Sequence, residues 1–178
     1  VEVRTNAKVD AIDAEGVTIG SGRLAARTVF WAAGVQAERL QMTPAPITDR
    51  ASRIKVRDDC SLPGHPNVFA VGDMAAIEML QGQLVPGVAP AAIQTGEHAA
   101  RMVMADLVGD PRLPFVYHDK GTMATIGKSR AVGQIGRLTL TGRIAWLAWL
   151  LIHVYQLIGF RSRLAVLFNW AWNYMFSK

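Results

Sequence analysis

The 178-residue chain is 51% hydrophobic and 19% charged, which excludes a disordered segment and leaves enough apolar material for a sizeable core in one or two domains. Its net charge of +5 comes from scattered basic residues without an aromatic-interleaved cluster, so an anionic lipid surface fits better than nucleic acid. The single cysteine, Cys60, excludes an internal disulfide or a CxxC redox pair and makes cytoplasmic exposure the default, and the separated histidines His65, His98, His118 and His153 lack metal-ligand spacing, so no metal site is expected.

In chain order, Val1 to Asp13 has no basic cap followed by an apolar run, so no signal peptide is expected and the chain reads as opening in mid-fold. Short β-type runs at Val1–Arg4, Val9–Ile12, Val17–Ile19 and Thr28–Ala32 alternate with turn signals. Gly20-Ser21-Gly22-Arg23-Leu24-Ala25 fits the dinucleotide fingerprint G-x-G-x-x-G/A. That fingerprint needs a following helix to receive a pyrophosphate, and the short distance to Thr28 allows none, so a hairpin turn is expected. Val29 to Gly34 reads as a strand ending on small residues, where backbone can approach either a ligand or a neighbouring strand.

A Pro-rich crossing, Thr43-Pro44-Ala45-Pro46, leads to a strand at Arg53–Val56. Asn67 to Asp73 then reads as a buried parallel strand, since four apolar residues in a row suit a strand covered on both faces. Gly72 would let backbone approach a ligand, and the carboxylate of Asp73 would stand at the strand's carboxyl end, where doubly wound folds bind ligands. After the breaker Pro86-Gly87-Val88, a helix is expected from Ala89, with Pro90 suited to its first turn. Its inner face is read as Ala89, Ala92, Ile93, Gly96, Ala99, Ala100, Val103 and Leu107. The amino-terminal turn, Ala89, Ala91 and Ala92, would offer amide hydrogens to an anion. Gln94, one turn in, would bring an amide to the same place or simply occupy an exposed polar position.

Beyond residue 114, the runs Phe115–Tyr117, Thr122–Ile126 and Ala131–Ile135 suggest a small antiparallel sheet. Ile144 to Phe160 has no clear polar face. As a helix it would be about 25 Å long at roughly 1.5 Å per residue, short of a hydrocarbon core of about 30 Å. Leu164 to Phe176, rich in aromatics and preceded by Arg161 and Arg163, reads as interfacial. A helical hairpin dipping into one leaflet accounts for both segments, and a hydrophobic homodimer interface is the competing reading.

Taken together, Val68–Asp73, Pro86–Gly96, Asp119–Gly127 and Gly159–Leu164 resemble, in this order, the C-terminal half of type II NADH dehydrogenases. The resemblance covers nearly the whole chain and implies an α/β fold, part of a Rossmann-like architecture with two dinucleotide-binding domains, for FAD and NAD(P). It assigns residues 1–40 to the close of the NADH-binding domain, 41–114 to the returning half of the FAD domain, and 115–178 to a small antiparallel sheet with membrane-associated helices. It implies FAD as cofactor, NADH as donor, a membrane quinone as acceptor, and attachment to the cytoplasmic face of a bacterial-type plasma membrane. Gly34, Gly72, Asp73, Ala89, Ala91 and Ala92 become cofactor-binding candidates, with Asp73 on the ribityl chain, and Gln94 and Lys120 become candidate catalytic residues beside flavin and quinone. Ala89 to Gln94 departs from the family's Ala-Gln-x-Ala-x-Gln segment at Pro90, which removes one polar quinone contact. The family's two Gly-rich phosphate loops are not found, so the chain reads as a fragment that alone would bind FAD poorly. The rival readings are a sulfide:quinone oxidoreductase, which needs paired cysteines, and a non-catalytic membrane-associated module.

Overall fold

The computed structural model describes residues 1–38, 40–79, 82–157 and 159–176. The chain divides into two units, Val1–Gln36 and Ala37–Lys178.

The first unit is an antiparallel meander of β1 (Ala11–Asp13), β2 (Gly16–Ile19) and β3 (Gly22–Ala25). The carboxylate of Asp13 accepts the amide hydrogens of Glu15 and Gly16, each at 3.0 Å, and so forms the first turn. Gly20 and Ser21 make the second, which confirms the hairpin reading of the Gly-Ser-Gly run. Thr28 to Ala32 corrects the expectation, because it forms no ladder and leaves Phe30 91% and Trp31 63% exposed. A strand requires partners for its amides and carbonyls, and no described segment of this unit pairs with it. Val1–Arg4 is likewise unpaired.

The second unit is mixed α/β. β4 (Ile54–Lys55) pairs in parallel with β7 (Ala75–Ala76). β5 (Ser61–Leu62) and β6 (His65–Phe69) form a hairpin through Pro63 and Gly64, with Gly64 at a φ of 76°. The buried parallel strand expected at Asn67–Asp73 is therefore corrected. The strand ends at Phe69, runs antiparallel and is largely exposed. A two-residue connection to an adjacent segment settles the pairing locally, and the parallel ladder forms just beyond Asp73 instead.

α1 (Ala89–Val108) follows with Pro90 in its first turn and closes on Gly109, whose φ of 81° permits the left-handed cap. Its buried residues are Ala91, Thr95, His98 and Met102. The face expected from small-residue spacing is only partly turned inward, since Ala92, Gly96 and Ala99 are half-buried while Ile93, Val103 and Leu107 are exposed. Ala91 joins Ile54, Cys60, Leu62, Ala70, Ala75, Ile77 and Val85 in the core.

Residues 110–120 form an extended strap. Phe115 donates its amide to the Asp58 carbonyl at 2.7 Å and Leu113 donates to the Met102 sulfur at 3.1 Å. Phe115–Tyr117 is thus not a strand. The antiparallel sheet comprises β8 (Thr122–Thr125), β9 (Ala131–Ile135) and β10 (Leu138–Thr141), in the order β10-β9-β8.

α2 (Gly142–Gln156) and α3 (Phe160–Phe176) complete the unit. α2 stops four residues before the expected Phe160, at about 22 Å for roughly 1.5 Å per residue. Trp149 stacks on Trp170 at 5.5 Å and Trp146 lies 5.9 Å from Tyr174, so the two helices run antiparallel. The Arg163 side chain donates to the Leu157 and Tyr155 carbonyls, both at 2.9 Å, and satisfies the end of α2. No helix among the described residues is long and apolar enough to cross a membrane.

Candidate functional site

Gly72, Asp73 and Met74 form a short 3-10 turn, closed by the Ala75 amide donating to the Gly72 carbonyl. Gly72 has a φ of 68°, and a Cβ built there would stand 3.3 Å from the Cβ of Ala92. Both facts require glycine, and together they seat the turn on the first turns of α1. The Gly72 amide donates to Thr95 Oγ1 at 3.0 Å. Thr95 Oγ1 in turn lies 3.0 Å from the Ala91 and Ala92 carbonyls. Asp73 is exposed beside Gly87, and its carboxylate has no hydrogen bond or ion pair among the described residues.

The start of α1 is more satisfied than a bare helix end. Ala91 and Ala92 both donate to the Val88 carbonyl, at 2.9 and 3.0 Å, and Pro90 has no amide hydrogen. Among the described residues that leaves the Ala89 amide as the first-turn donor without an intramolecular acceptor, at the positive end of a 20-residue helix.

One residue before Thr95, the side-chain amide of Gln94 grips the strap. Its Nε2 donates to the His118 carbonyl and its Oε1 accepts the His118 amide, each at 3.0 Å. This fixes the approach to Lys120. Asp119 Oδ1 accepts the Gly121 amide at 2.8 Å, and Gly121, with φ of 86°, leaves no space for a Cβ against the Gln134 carbonyl. Lys120 is thus an exposed side chain on a tightly made turn.

The structure therefore packs Gly72 against Ala92 and Thr95 of α1, sets Asp73 beside Gly87, ties Gln94 to the strap two residues before Lys120, and places Ala91 in the core. Gly34 belongs to the other unit, exposed in the unpaired segment. Sequence reasoning did not find Thr95 or His118. A threonine four residues after Ala91 is able to bond back along its helix, and that was the available signal for the first.

Two buried groups next to the site are structural. Asp59 is buried, and although burial alone would raise its pKa, the Ser61 hydroxyl and amide, Arg112 and Arg57 lower it from 3.8 to about 2. Arg112 joins Asp59 at 3.0 Å to Asp106 and lies over the Phe69 ring. The Cys60 thiol is fully buried, and burial together with Asp59 and Asp58 pushes it up to about 12.

The basic residues are scattered along the chain, as expected, and it is the carboxylates that are segregated. From Lys120 to Lys178 there are eight lysines and arginines and no carboxylate side chain, whereas every aspartate and glutamate lies at or before Asp119.

Residues 1–96 match a family model described as pyridine nucleotide-disulphide oxidoreductase, and the chain belongs to that family. Residues 119–178 match a second, described as the NDH2 C-terminal domain. The chain is 40% identical to type II NADH:quinone oxidoreductase Ndh of Mycobacterium tuberculosis over 100% of this chain and 40% of that protein. NdhA of the same organism is 42% identical over 98% of this chain and 39% of its own length. The chain thus spans about 40% of these relatives. The structure of NDH2 from Plasmodium falciparum in complex with NADH shares the fold, with a TM-score of 0.78 at 15% identity over 96% of this chain and 51% of that one.

Proposed function

We propose that this chain is the C-terminal portion of an enzyme that passes electrons from NADH through FAD to a membrane quinone without pumping protons. The observation that carries this reading is the seat of Gly72 and Asp73 at the start of α1. The residues present fit a flavin. An exposed, unpartnered carboxylate on a turn seated against α1 and a free helix-start amide are what a polyhydroxylated, anionic cofactor requires. Bound FAD would supply hydride acceptance and two-electron transfer onward to the quinone.

In this reading Asp73 accepts hydrogen bonds from the ribityl hydroxyls, and Ala89 offers its amide to negative charge on the cofactor. Ala92 packs beneath Gly72, and Ala91 anchors that turn in the core. Gln94 retains one N–H and one oxygen lone pair beyond its two bonds to His118. It presents that N–H to a quinone carbonyl, with the plane of its amide already fixed. Lys120 adds positive charge nearby, and Gly34 supplies a Cβ-free approach for a ligand in the NADH-binding part. We assign residues 1–40 to that part, 41–114 to the FAD domain and 115–178 to the membrane-anchoring domain.

The cation-only segment supports peripheral attachment to an anionic lipid surface, and we place it on the cytoplasmic leaflet, whose surface potential is negative. A second copy of the chain is the alternative cover for the apolar faces of α2 and α3. The sulfide-oxidising reading is disfavoured by Cys60, since paired-cysteine chemistry needs a reachable thiolate and this thiol is a core group.

The deciding experiment is the visible spectrum of the full-length protein under anaerobic conditions. Bleaching of a bound flavin by NADH and its return on adding quinone support the assignment. A flavin that ignores NADH and bleaches with sulfide overturns it in favour of the cysteine-dependent chemistry, and a colourless protein overturns it in favour of a non-catalytic module.

A further inference from the structure

We propose that Thr95 is the positioning residue for Asp73, setting the direction of its carboxylate toward the flavin's sugar-alcohol chain by holding the Gly72 amide. The inference rests on the flavin reading above and adds a residue that touches neither cofactor nor substrate.

The polarity of the contact is fixed by chemistry. Thr95 has one hydroxyl hydrogen, and the carbonyls of Ala91 and Ala92, both at 3.0 Å, compete for it within the helix. Toward Gly72 the same oxygen must therefore accept, and the Gly72 amide at 3.0 Å is a donor. Thr95 is 1% exposed, so water cannot replace the hydroxyl if it is removed. Gly72 is held at its other end as well, because its carbonyl accepts the Ala75 amide. With the peptides on both sides of the turn tied, the remaining freedom of Asp73 lies in its own side-chain torsions, and its carboxylate is left unpartnered beside Gly87. The β-branched side chain of Thr95 restricts the hydroxyl to few rotamers, which keeps the oxygen on the Gly72 side. Gln94 is its neighbour in sequence and holds the strap through His118, so one turn of α1 is the mount for both loops of the site.

The test uses the full-length protein with Thr95→Val, Thr95→Ser, Asp73→Asn and the Thr95→Val/Asp73→Asn double variant, reading the FAD dissociation constant and the amide hydrogen exchange of Gly72. Thr95→Val should weaken FAD binding by about tenfold or more, while Thr95→Ser, which keeps the oxygen, stays within about threefold of the parent. The double variant should bind no more weakly than Asp73→Asn, because both changes act through one carboxylate. Losses that multiply in the double variant, or unchanged FAD binding in Thr95→Val, overturn the proposal. If the parent protein binds no FAD, the flavin reading and the positioning role both fail, while faster exchange at Gly72 in Thr95→Val still verifies the hydrogen bond itself.

Discussion

Gln94 commits both of its amide atoms to the backbone of one residue, His118, so a substitution there touches the strap contact and the quinone donor together. Gln94→Ala removes the strap contact and the quinone donor together, and it should slow reoxidation by quinone more than reduction by NADH in stopped-flow measurements. Gln94→Glu keeps the oxygen that accepts from His118 but sets a carboxylate oxygen against the His118 carbonyl, so it should loosen the strap as well as slow the quinone step. Equal losses in both half-reactions would remove Gln94 from the quinone site. Asp59 carries a separate prediction. Its folded pKa lies below the ordinary value of 3.8, at about 2, so its contribution is complete above pH 4 and fades as the pH falls through 2. That contribution is about 2.5 kcal/mol at roughly 1.4 kcal/mol per pKa unit. Asp59→Asn should therefore flatten the acid limb of the stability curve measured by denaturant titration at pH 2 to 5. Gly72 and Asp73 stand out as candidates in the sequence because a glycine-carboxylate pair after an apolar run is a local pattern. His118 was not, because its tie to Gln94 spans 24 residues and uses only backbone atoms that every residue possesses.

At the scale of elements, α1 was legible in its limits and not in its orientation. Small and apolar residues lie on more than one of its faces, so spacing alone could not choose between them, and the buried face includes Thr95 and His98, which a hydrophobic pattern passes over. His98 is accommodated in the core by an edge-on contact with Phe115 at 5.4 Å, and burial, then Arg101, lowers its pKa and favours the neutral ring. The hairpin at Gly20 was legible because its turn chemistry is local, whereas Thr28–Ala32 failed as a strand because pairing is a property of two segments. β10 escaped notice for the related reason that Leu138–Thr141 is short and follows directly on β9. The β8-β9 pair offers a test of an element. Gly121→Ala places a Cβ against the Gln134 carbonyl in a left-handed backbone conformation, and it should cost on the order of 3 kcal/mol. Thermal unfolding of the full-length protein would register it, together with weakened quinone turnover if Lys120 is displaced. Gly127→Ala, in open space though at a φ of 112°, meets no such collision and should cost less.

For the whole molecule, composition revealed a basic chain but concealed where the charge lies. With all the carboxylate side chains before Lys120, the last third of the chain is a cationic segment joined to two short aromatic helices whose outward faces expose Ile144, Leu147, Leu151, Leu164, Phe168 and Trp172. The full-length protein should bind vesicles containing phosphatidylglycerol and largely leave neutral phosphatidylcholine vesicles, with binding weakened by salt as the screening length falls from about 10 Å at 0.1 M. The double variant Arg143→Gln/Arg161→Gln should lower partitioning by about thirtyfold, at roughly 1 kcal/mol per surface cation. Arg163 is a poor choice for that experiment, since its guanidinium closes the end of α2. Equal, salt-insensitive binding to both vesicle types would count against the electrostatic attachment, and a self-associated protein that ignores vesicles would assign the helices to a dimer. The order of motifs made the family recognisable although no single motif did so.

The burial of Cys60 gives this chain an internal clock for its own opening. It is the chain's single thiol, it is sealed in the core beside Leu62 and Ala91, and its proton is held up to about 12. An alkylating reagent at neutral pH therefore has to wait until the core parts, and the rate at which Cys60 itself is modified, followed by peptide mass, reports that event without a dye or an introduced probe. Flavin binding, a substitution at Thr95, or attachment to a vesicle can each be compared on the same scale by how long the thiol survives. A cysteine added on an exposed surface would be labelled ahead of it, so spectroscopic reporters could be placed on α2 or α3 while the native thiol stays untouched.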